Sequence, residues 1–130
     1  MIDYEEIDFS IRILIKKLND SGYKTFSSCS GVSIDHRGKK SLCPPHICFI
    51  YKYLIENNKN KLNILLHWAM NARFDWNLKT MVSRKIAIYP LYGLTKETGG
   101  FLRFDLQDYE RDEDILKTFS DLEKIIINGE

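Results

Sequence analysis

The sequence predicts an α+β domain, a mostly antiparallel sheet with helices on one face, in the order α-β-β-α-β-β-β-α. Three observations predict it. Apolar residues recur at helical spacing in three places: Ile7, Ile11, Leu14, Ile15 and Leu18; Leu62, Leu65, Leu66 and Ala69; and Ile115, Leu116, Phe119, Leu122 and Ile126. Between them lie short runs that alternate apolar with polar, or are apolar throughout, as strands do. No repeat, low-complexity tract or linker divides the 130 residues, so residues 1–130 read as a single domain.

The first helix opens on Asp3, with Glu6 three residues later in the manner of a capping box, and Gly22 stops it. Residues 23–27 form a short strand. A loop from Ser28 to Pro45 follows, carrying Gly31, Gly38 and the Pro44-Pro45 pair. Residues 46–51 are apolar on both faces, which predicts a central strand. After the polar stretch 56–60 a second helix runs from about residue 61 to 72. Residues 76–82 alternate as a half-buried strand, and residues 85–89 make another, ended by Pro90. In residues 101–106, Leu102, Phe104 and Leu106 share one face. Helices on one side leave the other side of the sheet to Lys79, Arg103 and aromatic residues, as a solvated face, a dimer interface or a ligand floor.

Composition narrows the function. Net charge is +1, whereas an electrostatic nucleic-acid binder carries a large basic excess. No run approaches the about twenty apolar residues that span a membrane. The opening MIDYEEIDFS is acidic where a signal peptide would be basic, which predicts a cytoplasmic protein. Three cysteines without secretory context do not read as a disulfide framework.

The loop SSCSGVSIDHRGKK, residues 27–40, carries the clearest binding signal. Ser27, Ser28 and Ser30 supply short hydroxyl donors. Gly31 lets backbone amides approach a ligand and supplies a positive φ. His36, Arg37, Lys39 and Lys40 face an anion, arginine with a planar fork and lysine as a point charge. A phosphatase-type loop would place arginine six positions after Cys29. Asp35 stands there, so Cys29 reads as an unreactive thiol within a binding loop. Zinc binding by Cys29, His36, Cys43 and His46 lacks a tight first pair, and no metal is expected. Aromatic stacking on a base falls to Trp76, with Trp68, Tyr89 and Tyr92 as further candidates. Arg84 and Arg103 suit a phosphorylated ligand.

The stretch TFSSCSG, Thr25 to Gly31, resembles the wybutosine-synthesising tRNA methyltransferases, the third enzyme of that pathway. The amphipathic helix before it and the strand HICFI after it fit the same pattern, and Val32 stands where the family carries arginine. The resemblance implies an α+β fold, a functional loop of Ser27, Ser28, Cys29, Ser30 and Gly31, and S-adenosylmethionine-dependent methylation of a tricyclic guanosine in tRNA.

No acid/base pair, nucleophile dyad or metal quartet is evident in the sequence, while a pocket-type loop is. The favoured expectation is therefore a small protein that binds, and sequesters without chemistry or cofactor, a phosphorylated nucleotide-derived molecule. Cyclic nucleotides and cyclic ADP-ribose are the expected class, by analogy with viral (phage) proteins that sequester immune signals. A homodimer or higher homo-oligomer would close the pocket. The alternatives are a diverged methyltransferase using S-adenosylmethionine on tRNA, and a non-catalytic assembly module.

Overall fold

Strand β2, His46–Ile50, is buried from its first residue to its fourth, and the sheet is built around it. The computed structural model describes residues 3–36, 44–56, 60–71, 85–107, 109 and 111–128. β1, Thr25–Cys29, pairs antiparallel with one edge of β2. β4, Phe101–Gln107, pairs antiparallel with the other edge and carries β3, Lys85–Ile88, on its far side. The strand order is β1-β2-β4-β3. Helices α1 (Arg12–Asp20), α2 (Tyr51–Leu54), α3 (Asn60–Asn71) and α4 (Asp112–Asn128) complete the fold. The predicted class, α+β with an antiparallel sheet, is what forms. The predicted strand over 76–82 lies outside the described residues.

One core accounts for the architecture. Ile47 and Phe49 of β2 and Leu102, Phe104 and Leu106 of β4 meet Leu14, Ile15 and Leu18 of α1. Leu65 and Trp68 of α3, with Ile115, Phe119, Leu122 and Ile126 of α4, close over the same face. Phe104 sits at the centre, edge-on to Phe49 at 5.7 Å and tilted to Trp68 at 6.0 Å between ring centroids. The Trp68 indole N–H donates to the Thr118 carbonyl at 2.9 Å, which binds α3 to α4.

Two boundaries depart from the sequence reading. Asp3 does cap, accepting from the Glu5 amide at 3.0 Å, but it caps a 3-10 turn, Tyr4–Glu6. A second 3-10 turn, Phe9–Ile11, precedes α1, which begins only at Arg12. The groups a longer helix would use are engaged elsewhere. The Arg12 guanidinium donates to the Glu5 and Ile7 carbonyls, and the Ser10 amide donates to Asp35. The first strand starts two residues later than expected. Gly22, at φ 90°, closes α1 in a Schellman motif: its own amide bonds the Asn19 carbonyl, and the Tyr23 amide bonds that of Leu18. Tyr23 thus belongs to the helix stop, and pairing begins at Thr25.

Candidate functional site

The face of the sheet away from the helices is polar at its middle and aromatic at one end, because register sorts the side chains into rows. Ser27, Cys48 and Arg103 are successive cross-strand partners and form one row. Cys29, His46, Asp105 and Ala87 form the next. The register of β1 shifts between Thr25 and Ser27, so Phe26 is the extra residue of a bulge, a device that re-aims side chains. Phe26 stacks against Phe101 at 4.3 Å, and Tyr92 joins Phe101 at 5.6 Å. Phe26 and Tyr92 are 60% and 44% exposed, so this is an aromatic shelf at the surface.

Beneath the exposed groups lies a buried polar floor. His46, Cys48 and Asp105 are all buried. The His46 Nδ1 lies 2.9 Å from the Pro44 carbonyl and its Nε2 lies 3.3 Å from Ser27 Oγ. A carbonyl has no proton to give, so Nδ1 carries the hydrogen and donates. Burial holds the imidazole below its ordinary pKa, reinforced by the Arg103 charge and opposed by the Pro44 bond and by Asp105 and Asp8. With Nδ1 protonated, Nε2 of the neutral ring accepts from Ser27, whose hydroxyl also bonds the Cys48 side chain. Burial likewise pushes the Cys48 thiol up, and its contact with the Tyr92 hydroxyl at 3.2 Å pushes Tyr92 up. Arg103 donates through Nε to Asp105 at 2.5 Å, an ion pair that raises its pKa further. Its two terminal nitrogens make no hydrogen bond among the described residues, and its side chain is 29% exposed.

The residues singled out in the loop divide in two. Ser27 and Cys29 lie on the open face, Ser27 exposed and Cys29 buried. Ser28 pairs with Ile47 and so lies on the helix-covered side. Ser30 and Gly31 belong to a separate network. The Ser30 amide donates to Asp8 at 2.8 Å and its hydroxyl to Asp35 at 2.5 Å. Asp35 also accepts from the Ser10 hydroxyl and amide. Ser33 donates by amide and hydroxyl to Asp112 at the start of α4, which holds that carboxyl below its usual range. Gly31 has the expected positive φ of 68°, but a Cβ there would meet the Pro45 ring at 2.6 Å, so this glycine serves chain packing. His36 ends the 3-10 turn Ser33–His36. Arg37, Lys39, Trp76 and Arg84 lie outside the described residues.

The site residues that sequence reasoning missed are His46 as a polar floor group, Cys48, Asp105, Phe26 and Phe101. Asp105 had a signal, since it stands with Arg103 on the polar beat of FLRFDL. Phe26 had none, because a bulge decides its direction.

A cleft of about 910 Å³ lies elsewhere, between the N-terminal turns, α1 and α4. It is lined by Glu5, Glu6, Asp8, Asp35 and Glu123, with Arg12 as its basic member. Five carboxylates repel a phosphate, and the Arg12 guanidinium already serves backbone carbonyls. Among the described residues no three His, Cys, Asp or Glu side chains are placed to hold a metal, and no helix is long and apolar enough to cross a membrane. Comparison with protein-family models, curated proteins and solved structures finds no match to this chain.

Proposed function

We propose that this protein binds a phosphorylated, nucleotide-derived small molecule on the open face of its sheet. One juxtaposition carries the reading: an exposed aromatic shelf, Phe26, Phe101 and Tyr92, lies beside a partly exposed Arg103. A base has a π-face that stacks on such a shelf whatever its sequence identity. Arg103 is held by Asp105 through Nε, which fixes the guanidinium while its terminal nitrogens keep the fork that matches a phosphate.

The test is a thermal-shift panel of cyclic dinucleotides, cyclic ADP-ribose isomers, NAD, mononucleotides and S-adenosylmethionine. A ligand at one hundred times its dissociation constant adds about 2.7 kcal/mol, several degrees for a domain of this size. A cyclic or ADP-ribose species should shift the wild type, and Arg103→Met and Phe101→Ala should each weaken that shift. A response to S-adenosylmethionine alone would favour the methyltransferase reading. Silence across the panel would overturn the proposal.

A further inference from the structure

We propose that Ser27 and His46 form a nucleophile–base pair on the open sheet face, and that the phosphoryl group of the bound ligand is its electrophile. The substrate class rests on the binding reading above; the nucleophile does not.

The pair is built as an activated hydroxyl requires. The three parts of such a device are a nucleophile, a base within hydrogen-bond reach and a third group that orients the base. Ser27 is exposed on β1, and its Oγ lies 3.3 Å from His46 Nε2. That distance is at the long end for free sites, where such contacts tighten on binding. The Pro44 carbonyl at 2.9 Å from Nδ1 is the orienting group, and it settles the tautomer. His46 starts a central strand and is only 5% exposed, so its ring does not wander. The bulge at Phe26 places Ser27 beside the aromatic shelf, and Arg103 stands two strands away in the same row.

The chemistry balances with water as the one further reagent. Ser27 Oγ bonds to phosphorus while its proton moves to His46 Nε2. The bond from phosphorus to the leaving oxygen breaks, and that oxygen takes the proton from His46. Water then attacks the phosphoserine, giving a proton to Nε2. The Ser27–phosphorus bond breaks, and Ser27 regains its proton. Arg103 faces the charge on the phosphoryl oxygens.

The experiment uses diisopropyl fluorophosphate, a phosphorus electrophile, on the full chain, with intact mass and peptide mapping as readouts. One adduct at Ser27 is expected, absent in Ser27→Ala. His46→Gln should slow labelling by about 100-fold or more, with circular dichroism confirming its fold. The wild type supplies a second measurement that needs no variant. Its labelling rate should level off above the His46 pKa, on which the charges of Arg103, Asp105 and Asp8 act among the described residues. No adduct at Ser27, an adduct indifferent to His46, or a rate climbing tenfold per pH unit to pH 9 would overturn the inference. Nucleotide binding without a Ser27 adduct leaves the binding reading standing and removes the dyad. An adduct with no binding across the nucleotide panel does the reverse.

Discussion

Asp35 accepts the Ser30 hydroxyl at 2.5 Å, and this contact makes the end of the SSCSG stretch a clasp. The same carboxylate takes the Ser10 amide and hydroxyl, so it fastens the strand end to the turns that lead into α1. Asp35→Ala should destabilise by about 1–3 kcal/mol, because the Ser10 and Ser30 donors lose a charged acceptor. Asp35→Asn, which keeps one carbonyl oxygen, should cost less. Urea midpoints measure both, and a Ser30→Ala cycle should show a coupling of at least ~0.5 kcal/mol. An alanine variant as stable as the wild type would remove the clasp from the account.

Gly31 and Gly99 share nearly the same backbone, at φ 68° and 66°, and differ in their surroundings. A Cβ at Gly31 would press on Pro45 at 2.6 Å, while at Gly99 its nearest neighbour is the Lys52 amide nitrogen at 3.5 Å. Both alanine variants incur left-handed strain of about 1–3 kcal/mol. Only Gly31→Ala adds an overpacking cost, of a further about 1–3 kcal/mol. Equal losses of melting temperature would mean that the Pro45 contact does not matter.

The fold was legible because its signals are periodic. Leu102, Phe104 and Leu106 alternate and do line the core, and HICFI is apolar on both faces and does lie centrally. The site was less legible because it depends on register. Ser27 stood out by sequence, but nothing local shows that it reaches a histidine nineteen positions later. That pairing requires the β1–β2 alignment and the bulge at Phe26. The acidic clasp was hidden for the same reason: Asp8 and Asp112 are far from the loop in the chain and reach Ser30 and Ser33 only when the N-terminal turns and α4 pack beside it.

Acid should weaken the fold in two windows. His46 has a pKa below 6.5 when folded, so the unfolded chain takes up the proton first as pH falls. Stability is full above about pH 6.5, declines from there to the folded value, and then levels for this group. Asp112 behaves alike at lower pH. Its folded pKa lies below 3.8, so its contribution is present above that value and is lost as pH falls through the folded one. Urea midpoints at pH 7.5, 6.5 and 5.5 should fall, and the fall should vanish in His46→Gln. A wild-type midpoint that is flat across this range would contradict a buried neutral imidazole.

Trp68 gives the sharpest test of how the helices hold together, because two of its functions separate by substitution. Its ring is 1% exposed and stacks on Phe104, and its indole N–H reaches across to the Thr118 carbonyl of α4. Trp68→Phe keeps a ring against Phe104 but removes the donor and part of the volume. The lost bond costs about 1 kcal/mol, and the unfilled space adds to it according to how far the core relaxes. Trp68→Ala removes packing as well and should cost about 3–5 kcal/mol, a large share of the about 5–15 kcal/mol that stabilises a typical domain. Each kcal/mol lowers the melting temperature of a chain this long by roughly 3–5 °C. Phenylalanine should therefore fall between wild type and alanine. Indistinguishable phenylalanine and wild-type melting curves would show that the α3–α4 bond contributes nothing and that packing on Phe104 alone anchors the helix.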